Sequence, residues 1–287
     1  MTPTTPAPAV REAAPGDGET ATYVFAVCRG GDPAALRACG PGHREGGALR
    51  VLSAAGLTAV VQDVPVAVFS EEALPERLAD REALEAYARA HHGVVHAAAG
   101  CAATAPLPFA TLYRDDARAR AAVRSGAARF HAVLDRIGDR VEWGVKVHRV
   151  SRAEAAAPGA ERPADPTAPG AGRAYLERIR GRNRAREQRQ DAALRAAELA
   201  HRALGQQAVA ARRLRAHSAE LSGDTRPQVL NAAYLVDRHR AALVPELVAR
   251  LRGEPWAEDV RFEITGPWVP YSFTDPESAP EARDDAD

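Results

Sequence analysis

Runs of apolar residues bounded by turn residues predict three strands in the first half of the chain. Residues 21–29 are rich in valine and aromatic side chains and are followed by a Gly-Gly-Asp-Pro turn. Residues 57–63 follow Gly56 and predict a second strand. Residues 105–113 predict the third, with Pro106 and Pro108 at its start, where a missing N–H group is tolerated.

Helical periodicity predicts two helices around the third strand. The first begins at Asp80 and runs to about residue 99, with one apolar face turned towards a sheet. The positions on that face are Leu84, Tyr87, Ala88, His91 and Val95. The second helix is predicted from a cap at Asp115 to Ile137, and Gly138 marks a boundary after it.

The second half of the chain has the order of a known supersecondary unit. Residues 141–147 alternate as a half-buried strand does, with Val141, Trp143, Val145 and Val147 on one side. The pattern then predicts a long helix over residues 173–221, with Gly181 and Gly205 as candidate interruptions. Strands over 227–230 and 232–236, a helix to Leu251 and a strand over 260–265 follow. In the shorter helix the apolar stripe is Leu243, Leu247 and Leu251. This βαββαβ order predicts a ferredoxin-like antiparallel sheet with both helices on one face.

These elements predict an α+β protein of two domains, residues 21–138 and residues 139–274, the second ferredoxin-like with a long first helix. Residues 1–20 are rich in Pro, Ala, Thr and Gly and are expected to be disordered. Residues 151–172 contain four prolines and no aromatic residue, which predicts a flexible loop within the second domain. Residues 275–287 carry six acids against one Arg and are expected to form a solvated tail.

The basic residues exclude some classes of enzyme. Of 38 basic residues, 37 are Arg, and the single lysine, Lys146, lies between two valines rather than after a glycine. A P-loop NTPase is therefore excluded, and a Schiff-base enzyme would depend on a lysine in a strand. Together with 64 alanines, the arginine content indicates a GC-rich genome rather than a nucleic-acid role.

Charge and cysteine content favour a soluble protein of the cytoplasm. The formal net charge is zero, so no overall field attracts nucleic acid or an anionic membrane. Three unevenly spaced cysteines fit a reducing compartment better than a disulfide framework. The sequence has no signal-peptide pattern and no run of 18 apolar residues, so we expect no membrane segment.

A histidine pair is the strongest candidate for metal binding. His92 and His96 are one helical turn apart, which is the spacing of two zinc ligands on a helix. A zincin would carry glutamate at position 93, where this chain has Gly93, and no third ligand follows at a fixed spacing. We therefore expect a structural helix, no metal site and no cofactor.

The most basic stretch is residues 173–189, with seven Arg and two Glu on a predicted helix. Such a helix can bind an acidic protein surface or a nucleic acid. The neutral chain and the near absence of aromatic residues in the stretch favour the acidic protein. Arg178, Arg182 and Arg186 are accordingly candidate partner-binding residues, and a nucleic-acid-binding regulator is the alternative function.

Aromatic residues are concentrated in residues 266–273, where Trp268, Tyr271 and Phe273 accompany two prolines and a glycine. One interpretation is a strap that folds back and buries its rings against its own domain. The other is a partner-binding surface, because Trp and Tyr are common interface anchors. The strap is the favoured interpretation, and the three aromatic residues remain candidate partner-binding residues.

Motifs of catalytic sites are missing from the sequence. It contains neither G-x-S-x-G nor a G-x-G-x-x-G that opens a helix, and Glu45 takes the place of the third glycine in the loop of residues 40–47. The adjacent acids Asp115 and Asp116 are explained by a helix start. Because no acid, base and nucleophile come together, we expect a protein that is not an enzyme.

The ordered set of motifs resembles the gas vesicle protein L/F family (GvpL/GvpF) in its actinobacterial form. The resemblance runs from ATYVFAV at residue 21 to ITGPWVPYSF at residue 264, with LPFATLYRDD, VEWGVKVH and GRAYLERIRGRNR between them. This chain departs from the family at one site. Where many relatives have a Leu-Pro-x-x-Phe-Gly-Thr pattern, Ala110 precedes Thr111 here, so the glycine is replaced.

The resemblance implies a non-enzymatic accessory protein of gas vesicle formation. Its members are associated with binding the small hydrophobic shell protein, gas vesicle protein A, while the shell is nucleated or assembled. The resemblance therefore implies that protein as the partner, with other gas vesicle accessory proteins as further partners. It also implies a cytoplasmic location at the vesicle, with no nucleic acid or membrane as partner.

Overall fold

A computed structural model of the chain describes residues 18–150, 171–215 and 227–275. These residues form a mixed α+β structure with two antiparallel sheets. The chain divides into two compact units, one containing residues up to Asp139 together with residues from Val269, and the other containing Arg140–Trp268. The predictions for residues 1–17, 151–170, 216–226 and 276–287 lie outside the described residues.

The first unit contains a sheet built around one buried central strand. Its strands are β1 (Thr20–Arg29), β2 (Arg50–Ala54), β3 (Leu57–Pro65), β4 (Ala103–Pro106) and β5 (Leu112–Tyr113). The order is β2-β3-β1-β4, and β5 also pairs with β1. Residues 23–28 of β1 are completely buried, as expected for a strand with neighbours on both edges.

Six α-helices lie in the described part of the first unit. They are α1 (Pro33–Arg37), α2 (Val66–Phe69), α3 (Ala73–Ala79), α4 (Arg81–Cys101), α5 (Asp116–Ser125) and α6 (Ala127–Ile137). The predicted cap at Asp115 is confirmed, since its carboxylate accepts a hydrogen bond from Arg118 N. Asp80 caps α4 in the same way, with hydrogen bonds from Glu82 N and Ala83 N. The buried face of α4 contains Tyr87, His91 and Val95 as predicted, whereas Leu84 and Ala88 are exposed.

Two predicted elements of the first unit are divided in the structure. The predicted strand over residues 105–113 is two short strands, β4 and β5, separated by a loop in which Ala110 has a φ angle of 62°. The predicted helix from Asp115 to Ile137 is broken at Gly126, whose N–H bonds to Ala122 O and whose carbonyl accepts from Phe130 N. A Cβ atom at Gly126 would lie 3.0 Å from the Phe130 ring, so a side chain here would crowd α6.

Replacing Ala110 with glycine is expected to stabilise the protein. The positive φ angle strains an alanine, while the Ala110 N–H is held by a 3.0 Å hydrogen bond to Tyr23 Oη. Relief of strain, less the extra entropy of glycine in the unfolded chain, should raise the free energy of unfolding by about 0.5 kcal/mol. Urea denaturation can measure this change. The control is Ala105→Gly in the extended strand β4, which should lower the free energy of unfolding by about 1 kcal/mol. A lower free energy of unfolding in Ala110→Gly would contradict the argument.

The second unit has the βαββαβ order, with different element boundaries from those predicted. It contains β6 (Arg140–Arg149), α7 (Ala171–Gly205), β7 (Ala210–Arg213), β8 (Gln228–Asp237), α8 (Leu243–Leu251) and β9 (Val260–Trp268). The sheet order is β7-β8-β6-β9, and all three pairings are antiparallel. The predicted buried face of β6, Val141, Trp143, Val145 and Val147, is confirmed.

Pairing with β8 explains two errors in the prediction for the second unit. The long helix ends at Gly205 rather than at residue 221, because Val209 N bonds to Leu235 O and the chain enters the sheet as β7. The two strands predicted on either side of Asn231 form one continuous strand. The polar Asn231 side chain can be buried within this strand because it donates a hydrogen bond to Arg215 O at 2.7 Å. In α8 the buried residues are Val244, Val248 and Leu251, whereas Leu243 is exposed.

Candidate partner-binding surfaces

A basic, exposed section of α7 is the most unusual surface of the second unit. The helix has 35 residues, and among its described side chains the buried ones lie in its second half, at Ala193, Ala196, Ala197, Ala200 and Leu204. Residues 180–188 are exposed without interruption, so this section presents solvent-accessible side chains on every side. We call residues 177–189 the arginine segment.

Four arginines of this segment carry charge that has no partner in the described part of the chain. Arg180, Arg182, Arg184 and Arg186 form no ion pair with any described residue. Some arginines elsewhere form ion pairs, for example Arg213 with Glu198 at 2.6 Å. Of the predicted residues, Arg182 and Arg186 therefore lie on an exposed basic surface, while the side chain of Arg178 lies outside the described residues. Arg180 and Arg184 complete this surface and could have been selected from the charge run alone.

The second half of α7 is fixed to its sheet by packing and polar contacts. The buried His201 Nδ1 lies 2.7 Å from Tyr234 Oη on β8. At the helix surface, Arg213 on β7 donates to Glu198, and this hydrogen bond holds the pKa of the Glu198 carboxyl below its usual value. The sheet therefore holds one half of the helix and leaves the arginine segment uncovered by the described residues of its own unit.

The predicted aromatic segment has rings in different environments. Trp268 ends β9 in the second unit and is 42% exposed, whereas Phe273 in the first unit is 2% exposed. Tyr271 is half-buried, with its ring centroid 5.9 Å from that of His92 and 6.3 Å from that of His91. Val269 and Phe273 are thus buried side chains of the first unit, and Trp268 is the aromatic residue of this segment that is most accessible to a partner.

Two buried histidines in the first unit were not selected from the sequence as a pair. His43 is 1% exposed and His91 is 4% exposed, and both lie among the rings of Tyr23, Phe25 and Phe109. Tyr23 Oη lies 2.8 Å from His91 Nδ1, whereas neither ring nitrogen of His43 has a hydrogen-bond partner among the described residues. Burial lowers the pKa of each histidine to about 4, so both rings are neutral at pH 7.

The glycine-rich loop of residues 40–47 is organised by one buried side chain. Gln62 on β3 accepts a hydrogen bond from His43 N at 2.8 Å and donates to the carbonyl oxygens of Pro41, His43 and Gly47. A Cβ atom at Gly42 or Gly46 would lie within 2.6 Å of the Gln62 amide, so both positions require glycine. The loop leads into strand β2. A phosphate-binding loop would instead lead into the N-terminus of a helix.

The other candidates for chemistry have structural contacts. Lys146 Nζ lies 3.0 Å from Glu263 Oε1 on the neighbouring strand. The ring centroids of His92 and His96 are 6.1 Å apart on α4. Over residues 18–150, 171–215 and 227–275, no three His, Cys, Asp or Glu side chains are grouped as metal ligands. Within the same ranges no helix is long and apolar enough to cross a membrane.

Comparison with known proteins gives a consistent result. Residues 21–275 match the family model described as gas vesicle synthesis protein GvpL/GvpF. Gas vesicle protein L from Streptomyces sp. (strain CB03234) is 40% identical over 255 residues, which cover 88% of this chain and 91% of that protein.

Two crystal structures share the fold. The gas vesicle protein GvpF from Anabaena sp. PCC7120 has a TM-score of 0.62 at 14% identity, with 89% of this chain and 96% of that chain covered. GvpF from Microcystis aeruginosa has a TM-score of 0.58 at 13% identity, with 89% and 99% covered. Since the family model spans most of the sequence and a relative of 40% identity covers the same region, the chain belongs to the gas vesicle GvpL/GvpF family.

Proposed function

We propose that this protein is a non-enzymatic accessory factor that binds gas vesicle protein A and assists nucleation or assembly of the gas vesicle shell. The observation that carries the proposal is the family match over residues 21–275, which supports a role in gas vesicle formation. The partner and the step are our inference. The protein acts in the cytoplasm at the growing vesicle, where other gas vesicle accessory proteins are further partners.

The contact surface that we propose lies in the second unit. It combines the arginine segment, including Arg178, Arg182 and Arg186, with the exposed ring of Trp268. Arginine can bind carboxylates in a bidentate manner, and tryptophan contributes a large apolar area, so this pair of features suits a partner with both acidic and apolar side chains. Tyr271 and Phe273 lie in the first unit and are not part of this surface, and the Phe273 side chain is buried.

We also propose that the second unit is a ferredoxin-like domain. The sheet order β7-β8-β6-β9, with the βαββαβ sequence of elements, supports this assignment. In such a domain the helices pack on one face of the sheet, which leaves the end of a long first helix available to a partner.

Complementation of a deletion strain tests the proposed function. In a host that makes gas vesicles, removal of the gene should abolish or strongly reduce vesicles in electron micrographs, and the wild-type gene should restore them. A variant with Arg180, Arg182, Arg184 and Arg186 all changed to Gln should restore few. The matched control changes four exposed arginines of the first unit, Arg81, Arg89, Arg118 and Arg124, to Gln and should restore vesicles fully. Normal vesicles in the deletion strain would refute the proposed function.

A further inference from the structure

Two of the three cysteines meet in the first unit, although they are far apart in the sequence. Cys39 follows helix α1 and is buried, whereas Cys101 is the last residue of α4 and is exposed. Burial, the charge of Cys101 and a side-chain hydrogen bond with Cys101 raise the pKa of the Cys39 thiol to about 11. One buried and one accessible thiol are therefore in hydrogen-bond contact.

Packing of α1 and its preceding turn on the end of α4 holds this pair in place. A Cβ atom at Gly31 would lie 2.8 Å from Ala102 Cβ and 3.3 Å from Cys101 O, so the turn lies directly against the end of α4. The Cys39 thiol donates to Ala35 O at 3.5 Å, which holds its sulfur at the end of α1. Because both cysteines lie at helix ends, the small adjustment that a disulfide requires interrupts neither helix.

The third cysteine lies near the pair but has a different partner. Cys28 is completely buried on β1, and its sulfur lies 3.4 Å from Thr104 Oγ1 on the neighbouring strand. Burial raises the pKa of Cys28 to about 11, and the charges of Cys39 and Cys101 act in the same direction. Cys28 therefore provides a matched control for the pair.

The arrangement suits thiol–disulfide exchange in two steps. The exposed Cys101 is the thiol that a dissolved disulfide can reach. As a thiolate it attacks one sulfur of glutathione disulfide, so a mixed disulfide forms on Cys101 and the released glutathione takes up the Cys101 proton. Cys39 then attacks the Cys101 sulfur, and the second glutathione leaves with the Cys39 proton. Two protein thiols are thereby oxidised to one disulfide, and one glutathione disulfide is reduced to two thiols.

We propose that Cys39 and Cys101 form an oxidation site, at which a low-molecular-weight disulfide converts the two thiols into a reversible disulfide bond. The bond joins the residue directly before the 40–47 loop to the end of α4. A crosslink that closes a long loop restricts the unfolded chain, so the oxidised first unit is the more stable form. In a reducing compartment such a bond is transient, and a thiol reductant restores the free cysteines. The inference does not depend on the proposed function.

Mass spectrometry of the full chain treated with glutathione disulfide tests this proposal. The wild type should lose the mass of two hydrogen atoms, and a tryptic digest made without reductant should link residues 38–44 to residues 90–114. In Cys39→Ser the glutathione adduct on Cys101 should persist at least about tenfold longer than in the wild type, because no neighbouring thiol displaces it. The control Cys28→Ala should form the disulfide as the wild type does.

Urea denaturation, followed by circular dichroism, gives a second measurement on the wild type alone. The oxidised protein should unfold at a higher urea concentration than the reduced protein, and dithiothreitol should remove the difference. An unchanged mass, a lasting glutathione adduct on the wild type, a disulfide that includes Cys28, or covalent dimers through Cys101 would overturn the proposal. Equal unfolding of the two forms would overturn the stabilisation. None of these results bears on the complementation test, so the two proposals can fail separately.

Discussion

Acidification is expected to destabilise the first unit steeply between pH 6.5 and pH 4. His43 and His91 are buried and neutral, and burial lowers the pKa of each to about 4 from an ordinary value of 6.5. Below pH 6.5 the unfolded chain binds protons that the folded chain does not, so the free energy of unfolding falls as the pH falls. Each histidine contributes about 1.4 kcal/mol per pH unit in this window, so about 4 kcal/mol should be lost by pH 5.

One contact opposes this effect, because a backbone hydrogen bond at Leu107 raises the pKa of His91, although by less than burial lowers it. The other nearby charges reinforce it, since His91 disfavours the charged form of His43 and His92 disfavours the charged form of His91. The hydroxyl groups of Tyr23 and Tyr87 are protonated throughout the window, because burial raises the pKa of both. Glu45 is the nearby acid, and it accepts a hydrogen bond from Tyr87 Oη at 3.1 Å rather than contacting either imidazole.

Urea denaturation at pH 7.5 and pH 5 measures this effect. Trp143, Trp256 and Trp268 all lie in the second unit. A transition seen by circular dichroism but not by tryptophan fluorescence therefore reports unfolding of the first unit. A His43→Phe variant keeps an aromatic ring, removes two unpartnered nitrogens and should lose about half of the pH dependence. In the control His96→Gln, an exposed residue, the dependence should persist. Equal stability at the two pH values would contradict the assigned protonation states.

Replacing Gln62 with leucine is expected to be the most damaging single substitution in the first unit. The side chain is completely buried and makes four hydrogen bonds to the backbone of the 40–47 loop. Leucine fills a similar volume but leaves those backbone groups unsatisfied, at about 1–3 kcal/mol each. Since the loop can move and recover some of them with water, we expect a net loss of about 3–5 kcal/mol in the free energy of unfolding.

The matched comparison for Gln62→Leu is Gln188→Leu, which changes an exposed glutamine on α7. Urea denaturation should show a change within about 0.5 kcal/mol for this control. Hydrogen exchange should be faster at His43 N in the Gln62 variant, because that N–H donates directly to Gln62 Oε1. A Gln62→Leu protein as stable as the wild type would mean that the loop does not depend on this amide.

The strands with strong local signals could be predicted from the sequence, and the weaker ones could not. β6 alternates over four apolar positions, and β1 is a dense run of β-branched and aromatic residues, so both are encoded locally. The short strand β7, Ala-Ala-Arg-Arg, has no such preference and exists because β8 supplies its hydrogen bonds. The hairpin of β2 and β3 turns at Ala55 and Gly56, with φ angles of 51° and 73°, and alanine conceals the usual signal for that turn.

The candidate site was predictable only in the part that has a local signal in the sequence. A run of arginines is visible in the sequence, so Arg182 and Arg186 could be selected before their exposure was known. The environment of an aromatic residue depends on contacts far away along the chain. Trp268 and Phe273 are five residues apart in one motif, yet one is exposed and the other buried. The burial of His43 likewise depends on Gln62, which is 19 residues away in the sequence.

Co-purification of the shell protein tests the central claim most directly. Gas vesicle protein A is expressed together with the tagged chain, and the ratio of the two proteins is measured after purification. The wild type and the control with Arg81, Arg89, Arg118 and Arg124 changed to Gln should retain the shell protein to the same extent. The variant with Arg180, Arg182, Arg184 and Arg186 changed to Gln should retain about tenfold less, as expected from the loss of about 1.4 kcal/mol of binding free energy. No shell protein with the wild type, or equal amounts with all three, would contradict the account.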